Sequence, residues 1–426
     1  MIITTKKIKS VAIELTKHNI VIRKFVRHII FLRRYLKYWI VKKTSKTDDK
    51  LICFKSFSGK SYSCSPKAIY EYMLTQDKYK DYKFVWAFRE PDKYRFLENN
   101  RNTKVIHNKG RAYYKVMASS KYWIHNYRIA DHIYPKDDQI YVQCWHGTPL
   151  KRLGYDIEKF DNALNTIEEL RFKYKVDAKK FRYFISPSAF ASKKFVSAWN
   201  LKAIGKENSI IEQGYPRNDR LFHYSSDDVL NIKSKLGIEN TNKKVILYAP
   251  TWRDNQHDSS VGYTYKTEID FDNLQKAVGD DCIILFRAHY LVANCFDFEK
   301  YNGFIYNVSK YDEINDLYIV SDALLTDYSS VFFDYANLKK PMIFYMYDFD
   351  AYKNEIRDFY IDIDELPGPI ITSRDEQQLV QEIRSLRDMD AYNKKYGRKY
   401  AEFHNKYNYL DDGNAAKRVI EEILKF

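Results

Sequence analysis

One histidine, His146, stands where a β-rich run gives way to a loop. The run Ile140–Trp145 is apolar and aromatic, and Gly147, Thr148 and a proline follow the histidine. Ligands of parallel α/β folds bind at the carboxyl ends of strands, and glycine there lets the backbone approach a ligand closely. Histidine is the side chain whose ordinary pKa suits proton transfer near neutral pH. The pattern predicts a general base at position 146; the structural alternative is a ring that caps the turn and packs on Trp145.

Three further apolar runs also end in polar clusters. In chain order the clusters are Thr251 with Arg253 and Asp254, then Arg287 with His289, then Thr326 with Asp327, Ser329 and Ser330. Arginine binds phosphate oxygens through its fork of donors, and the two serines precede a predicted helix whose free N–H groups suit a phosphate. Each cluster alone has a structural alternative, an N-cap or a local salt bridge. Four coincident strand ends favour a single site for transfer at a diphosphate, with His146 taking a proton from the attacking hydroxyl.

The elements that must position these residues alternate between strand and helix. From residue 51 onward, short apolar runs are separated by helical stretches, which is typical of a parallel sheet covered on both faces. The turn Gly214–Asp219 divides the alternation. We therefore expect an α/β protein with two Rossmann-like doubly wound domains, residues 46–215 and 216–426, that face a cleft.

The boundaries of the predicted elements follow from the apolar runs and from Gly, Pro and capping residues. The predicted strands are Leu51–Phe57, Tyr82–Phe88, Thr103–His107, Tyr122–Asn126, Ile140–Trp145, Tyr183–Ser186, Ile210–Gln213, Lys244–Tyr248, Cys282–Phe286, Phe304–Asn307, Ala323–Leu325 and Met342–Tyr345. The predicted helices are Pro66–Thr75, Arg111–Ser119, Ser188–Trp199, Phe271–Val278, Asp312–Val320, Val331–Leu338, a helix from a cap at Ser373 or Asp375 to Leu386, and Gly413–Phe426. The charged segment Tyr155–Lys180 is either a lid or acceptor-binding segment or a solvated helix pair.

The positive charge of the chain is concentrated at its N-terminus. The formal net charge of the 426 residues is +15, and residues 1–43 hold 12 lysines and arginines against one acid, Glu14. Apolar residues at seven-residue spacing predict a helix over 6–43 in a basic amphipathic segment, 1–45, suited to an anionic membrane surface. A coiled coil and a helix docked on the protein's own body are the alternatives. Because the excess charge lies in this segment and no nucleic-acid motif occurs, nucleic-acid binding is disfavoured.

Several classes of protein are disfavoured by what the sequence lacks. The five cysteines are scattered without a CxxC pair, which predicts reduced thiols and neither a zinc site nor a disulfide framework. The sequence has no signal peptide and no run of 18 apolar residues that would form a membrane-spanning helix. It has no Gly-x-Gly-x-x-Gly and no Walker loop, so dinucleotide and P-loop chemistry are disfavoured.

Five stretches of the sequence resemble the motifs of one family. They are Cys144–Lys151, Gly214–Asp219, Tyr248–Asp254, Phe286–His289 and Thr326–Asp334. In this order they are similar to motifs of the CDP-glycerol:poly(glycerophosphate) glycerophosphotransferase family, the teichoic-acid primases and polymerases of Gram-positive bacteria. The resemblance runs from about residue 51 to the C-terminus, and the segment Ser65–Tyr70 also resembles the early helix of the family.

The resemblance implies a GT-B-like fold and a set of roles. His146 corresponds to the family's base and His289 to its second essential histidine. Gly147 and Thr148 would support the catalytic loop. The residues expected to bind the donor and its phosphates are Arg253, Asp254, Arg287, Thr326, Asp327, Ser329 and Ser330.

The resemblance also implies a reaction and a location. A polyol phosphate, glycerol phosphate in the first instance, would pass from a CDP-polyol to a hydroxyl of a lipid-linked saccharide or polyol-phosphate acceptor, with release of CMP. The enzyme would belong to the EC 2.7.8 class of teichoic acid and cell wall biogenesis. It would use no metal and no cofactor, and it would be a peripheral protein at the cytoplasmic face of the cell membrane.

Several alternatives stay open at the level of the sequence. The donor could carry ribitol, or the product could be a capsule polymer. A GT-B glycosyltransferase that uses a nucleotide sugar and a membrane-bound scaffold without activity are the other two readings. Only about 50 residues precede the matching region, which favours a primase-like or short-chain transferase over a long polymerase. Whether the chain forms homo-oligomers is also left open.

Overall fold

Two parallel β-sheets organise the molecule. The computed structural model describes residues 20–158, 166–251, 257–258, 262–263, 269–288, 296–351 and 358–425. The first sheet has seven strands in the order β3-β2-β1-β4-β5-β6-β7, and the second has six in the order β12-β11-β8-β13-β14-β15. All pairs within these two sheets are parallel. The predicted α/β class with two doubly wound halves is confirmed.

The strands are short and lie mostly within the sheets' buried interior. Those of the first sheet are β1 Asp48–Lys55, β2 Lys83–Phe88, β3 Thr103–His107, β4 Ser120–His125, β5 Ile140–Gln143, β6 Tyr183–Ser186 and β7 Ile210–Glu212. Those of the second half are β8 Lys244–Ala249, a small antiparallel pair β9 His257–Asp258 and β10 Gly262–Tyr263, β11 Cys282–Phe286, β12 Ile305–Asn307, β13 Ala323–Thr326, β14 Met342–Tyr345 and β15 Ile370–Ile371.

Helices cover both faces of each sheet. They are α1 Ile20–Thr44, α2 Cys64–Thr75, α3 Gly110–Ser119, α4 Ile167–Lys180, α5 Ala189–Ala198, α6 Ser226–Lys235, α7 Phe271–Val278, α8 Ile314–Val320, α9 Val331–Tyr335, α10 Phe349–Ala351, α11 Glu376–Ser385, α12 Met389–Tyr407 and α13 Ala415–Ile423. Each sheet has a separate apolar cluster on each face. This arrangement explains why the strands read as nearly continuous apolar runs rather than as alternating ones.

Each sheet has one point where the direction of the strand order reverses. In the first sheet this point lies between β1 and β4, and in the second between β8 and β13. At such a point the connections leave on opposite faces, so a crevice opens beyond the carboxyl ends of the two strands. The residues that follow β1, β4, β8 and β13 border these crevices, and those that follow the neighbouring strands β5 and β11 lie at the same edges.

Several predicted boundaries are corrected by the structure. Strand β5 ends at Gln143, two residues before the predicted end at Trp145. Helix α2 begins at Cys64, so Pro66 is its third residue rather than its first. The cap of α8 is Glu313, whose side chain accepts a hydrogen bond from the backbone N–H of Asn315, and not Asp312.

The two ends of the described chain both pack on the first half. Tyr38 of α1 is buried, and its hydroxyl donates a 3.1 Å hydrogen bond to the carbonyl of Tyr134. The apolar face of α13 lies in a core cluster of the first sheet, so the chain crosses back from the second half. The predicted helix over 6–43 is described from Ile20 onward, and the boundaries 1–45, 46–215 and 216–426 stay predictions. In the described ranges no helix is both long and apolar enough to span a membrane.

Candidate active site

A cavity of about 180 Å³ lies where the carboxyl edges of the two sheets face each other. His146 comes from the loop after β5, whereas Arg287 and Ser330 come from the second half. The described residues that line the cavity are Phe57, Ser63, Cys64, His146, Arg217, Arg287, Asp312, Glu313, Ile314, Asn315, Tyr318, Ser330 and Val331. The structure therefore brings together residues from three of the four predicted strand ends.

The orientation of the His146 ring follows from one hydrogen bond. Nδ1 of His146 lies 2.9 Å from the backbone carbonyl oxygen of Asn126, the residue after β4. A carbonyl only accepts, so Nδ1 carries the hydrogen and donates it. Nε2 of the neutral ring then holds the lone pair. This is the tautomer that a general base needs.

Aromatic rings surround the imidazole and restrict its contact with water. The centroids of Trp145, Phe57 and Tyr127 lie 4.2, 5.7 and 6.0 Å from that of His146. Burial lowers the pKa of His146 to about 4, and the charges of Arg217 and Arg128 act in the same direction. The ring is therefore neutral, and able to accept a proton, throughout the physiological pH range.

Strained backbone is concentrated around the cavity. Phe57, Cys64 and Trp145 have φ angles of +44°, +66° and +49°, which residues other than glycine rarely adopt. Phe57 and Cys64 line the cavity, and Trp145 directly precedes His146. Such strain persists where the surrounding structure enforces it, and it is frequent at functional sites.

Gly147 allows the two halves to approach each other at the loop after β5. A Cβ atom at this position would lie 3.3 Å from Oγ of Ser330 and 3.7 Å from Nη2 of Arg217. The predicted close approach at Gly147 is thus to the second half of the protein. Thr148, the other predicted loop residue, is buried.

Arg217 is a site residue that the sequence reasoning did not single out. Its Nη1 donates a 2.5 Å hydrogen bond to the carbonyl of His146, and its Nε donates one of 3.3 Å to Oδ1 of Asp334, a buried carboxylate of α9. Nη2 forms an ion pair with the same carboxylate. Arg217 therefore ties the backbone of the loop that carries His146 to α9 of the second half. Its position in the Gly214–Asp219 motif was visible in the sequence, but its partners were not.

The second half contributes a cation and a hydroxyl to the cavity. Nη1 of Arg287 donates to the carbonyls of Tyr311 and Val308 at 2.7 and 3.3 Å, which fixes the guanidinium at the wall of the cavity. Ser330 is the N-cap residue of α9, but its side chain makes no capping hydrogen bond. Its hydroxyl is thus not used as a cap, which was the structural alternative for the two serines. Ser329 is half-buried in the same turn.

Thr326 and Asp327 organise the point where the second sheet reverses its order. Thr326 is fully buried, and its Oγ1 donates a 2.8 Å hydrogen bond to the carbonyl of Ala249 at the end of β8. Oδ1 of Asp327 accepts one of 2.8 Å from the backbone N–H of Thr251. These contacts position the loop after β8, and direct contact of either residue with a donor stays a prediction.

Three predicted site residues lie outside the described residues. They are Arg253, Asp254 and His289, and their assigned roles stay predictions. Among the described residues, no group of three or more His, Cys, Asp or Glu side chains is arranged to hold a metal ion. The expectation that the reaction needs no metal and no cofactor also stays a prediction.

The chain is similar over nearly its whole length to proteins of one family. The family model described as CDP-Glycerol:Poly(glycerophosphate) glycerophosphotransferase matches residues 37–425. The teichoic acid poly(glycerol phosphate) polymerase of Staphylococcus epidermidis is 38% identical over 412 residues, which cover 95% of this chain and 55% of that protein. This chain thus spans about half the length of that relative. The teichoic acid glycerol-phosphate transferase of Staphylococcus aureus is 36% identical over 408 residues, which cover 95% of this chain and 99% of that protein.

The fold is also that of a solved structure. The wall teichoic acid polymerase TagF, in a variant soaked with CDPG, matches with a TM-score of 0.82 and 36% identity. The match covers 95% of this chain and 97% of that chain. The GT-B-like arrangement of two Rossmann-like halves expected from the sequence is therefore confirmed.

Proposed function

The chain belongs to the CDP-glycerol:poly(glycerophosphate) glycerophosphotransferase family, and on that premise we propose that it transfers glycerol phosphate from CDP-glycerol to a hydroxyl of an acceptor and releases CMP. The names of its relatives and the CDPG soak of TagF support this donor and a place in teichoic acid synthesis. The acceptor is a lipid-linked saccharide or polyol phosphate.

The observation that carries the proposal is the fixed tautomer of His146 in a cavity shared with Arg287 and Ser330. The acceptor hydroxyl attacks the phosphorus that bears the glycerol. Nε2 of His146 takes the hydroxyl proton as the new P–O bond forms. The P–O bond to CMP breaks, and CMP leaves with the electron pair.

Residues of the second half bind the negatively charged diphosphate. The guanidinium of Arg287 stabilises the charge that develops on the phosphate oxygens, and the Ser330 hydroxyl donates to one of them. Arg253, Asp254 and Ser329 complete the donor site, and His289 acts beside the diphosphate. Thr326 and Asp327 hold the start of the loop after β8, which leads to Arg253 and Asp254.

The site also bears on the competing functions. A scaffold that had lost activity would not need a half-buried histidine held in the tautomer of a base. A GT-B glycosyltransferase shares the fold, so only the donor distinguishes it. Ribitol differs from glycerol in length, and the same chemistry would serve both polyols.

We propose that helix α1 lies on the anionic cytoplasmic face of the cell membrane. Of the 17 large hydrophobic side chains that are exposed among the described residues, ten belong to α1. The same helix carries arginines and lysines along its length. A helix with a broad apolar face and a basic one is suited to the interface between headgroups and acyl chains. An acceptor with a lipid anchor would then meet the active site at the same surface.

The proposed reaction is tested by CMP release. Purified protein is incubated with CDP-glycerol or CDP-ribitol and a membrane extract as acceptor, and CMP is quantified. Release with one donor, lost in His146→Ala, establishes the reaction class and identifies the polyol. His404→Ala is the matched control, since His404 is also half-buried with a pKa lowered by burial but lies outside the site. Folded protein that releases no CMP from either donor contradicts the proposal.

A further inference from the structure

A second and much larger cavity opens beside the active site. It is a groove of about 1460 Å³ between helix α1 and the carboxyl edge of the first sheet. Of the 26 described residues that line it, nine are lysine or arginine and one, Asp131, is an acid. A groove lined by charge of one sign concentrates the field within it and attracts ligands of the opposite sign.

The two walls of the groove carry exposed cations that face each other. Arg34 and Lys37 project from α1, and Lys109 and Arg111 flank the start of α3. No side chain caps the first amides of α3, so the positive end of that helix adds to the field. The proposed CDP-glycerol chemistry at His146 uses none of these four cations.

The inner end of the groove reaches the proposed base. Tyr127 lines the groove, and its ring lies 6.0 Å from the imidazole of His146, nearly parallel to it. Ser58 lines the groove directly after Phe57, which lines the active-site cavity. The inner end of the groove therefore lies beside His146 and next to the active-site cavity.

The length of the groove indicates an extended ligand. Helix α1 lines it from Arg27 to Thr44, which corresponds to roughly 25 Å along the helix axis. A single phosphate headgroup would need only one or two of the cations. A linear chain with a negative charge at every repeat would contact them in succession.

We infer that this groove binds the phosphodiester chain of the acceptor and directs its terminal hydroxyl to His146. The inference rests on the proposed function for the identity of the acceptor, but the binding of a polyanionic chain does not. It places the polyanionic chain of the acceptor between helix α1 and the start of α3.

The test compares two charge-reversed double variants. Lys109→Glu with Arg111→Glu removes cations from the groove. Lys104→Glu with Lys115→Glu makes the same change in net charge at exposed positions of β3 and α3 that do not line the groove. Binding of a fluorescein-labelled synthetic glycerol phosphate oligomer is measured by anisotropy at low and at physiological salt. Binding to phosphatidylglycerol vesicles and CMP release from CDP-glycerol are measured in parallel.

We expect the groove variant to bind the oligomer at least about tenfold more weakly and with a smaller salt dependence, whereas the control variant binds as the wild type does. Equal loss in both variants, or no binding by the wild type, overturns the inference. Loss of vesicle binding with unchanged oligomer binding also overturns it and assigns the groove to lipid headgroups. Oligomer binding that requires the groove, without any CMP release, retains the inference and rejects the proposed reaction.

Discussion

Two histidines at the end of the first sheet differ in what surrounds them. His146 donates from Nδ1 to the carbonyl of Asn126 and lies at the cavity. His125 is fully buried, and neither of its ring nitrogens has a hydrogen-bond partner among the described residues. Burial lowers the pKa of both rings, that of His125 well below its ordinary value. Only His146 combines a neutral ring with access to a ligand.

The lowered pKa of His146 predicts the acid limb of the reaction. The neutral ring is the base, so kcat/KM for CMP release is expected to stay level from about pH 8 down to pH 5 and to fall as the pH passes through about 4. An exposed histidine would instead give an acid limb near pH 6.5. An acid limb near that value, in protein that is still folded, would contradict the lowered pKa of His146.

The same shift predicts how stability depends on pH. Because the folded-state pKa of His146 and His125 lies below the unfolded value, the unfolded chain binds protons more readily. Their contribution to the free energy of unfolding is complete above about pH 6.5 and decreases as the pH falls below it. Denaturant titrations at pH 7.5 and pH 5 are expected to show lower stability at pH 5. His125→Gln, which does not titrate, should reduce that difference.

At the scale of elements, the boundaries of the predicted strands agree with the structure better than those of the predicted helices do. Strands Thr103–His107, Tyr183–Ser186 and Cys282–Phe286 agree at both ends, since an apolar run between polar residues defines a buried strand. Helix α12, of 19 residues, was not predicted. Its buried face consists of Tyr392, Tyr400, Phe403 and Tyr407, which recur at helical spacing, so the signal was present in the sequence but was carried by aromatic residues among charged ones rather than by aliphatic residues.

Helix α1 is expected to bind anionic membranes through its exposed apolar face. Phe25, Leu32 and Leu36 are 64%, 48% and 56% exposed, and their replacement by serine should lower the partition coefficient by on the order of tenfold or more. Flotation with phosphatidylglycerol vesicles is the measurement. These substitutions are preferable to deletion of residues 1–43, because deletion would also remove the buried Tyr38.

The control for this test replaces apolar side chains of similar exposure elsewhere. Phe96, Phe172 and Leu230 are 57%, 59% and 58% exposed and belong to other elements. Their replacement by serine is expected to leave flotation unchanged. Equal flotation of the α1 variant and the wild type would mean that α1 docks on something other than a membrane.

At the scale of the whole molecule, ion pairs across the cleft fix the position of the two halves. Nζ of Lys67, in α2, lies 3.0 Å from Oε2 of Glu313, and Nζ of Lys93 lies 3.0 Å from Oδ2 of Asp312. Arg217 joins the His146 loop to Asp334. Asp312 and Glu313 therefore connect the wall of the active-site cavity to the first half of the protein.

The Arg217–Asp334 pair predicts separate effects on stability and activity. Arg217→Ala leaves the buried Asp334 unpaired, and we expect the free energy of unfolding in urea to fall by about 3–5 kcal/mol. Adding Asp334→Asn should recover most of that loss. CMP release should stay low in the double variant, because the carbonyl of His146 has still lost its donor.

Arg220 offers the matched control for this pair. Its Nη2 lies 3.0 Å from Oδ1 of Asp228 at the surface, and Arg220→Ala should lower the free energy of unfolding far less than Arg217→Ala does. Full activity in the Arg217→Ala, Asp334→Asn variant would restrict Arg217 to a role in folding.

The sequence by itself determined the α/β class and most strand positions, and it identified His146, Arg287 and Ser330, all at strand ends, as candidate site residues. These follow from local information, since apolar runs specify buried strands and polar residues at their ends are available to a ligand. Only the tertiary structure decided the strand order, and with it which strand ends meet. Asn126 selects the tautomer of His146, Arg217 braces its carbonyl, and Tyr127 connects the cavity to the basic groove. Each of these contacts joins residues that are distant in the chain or lie on different elements, so no local pattern in the sequence specifies them.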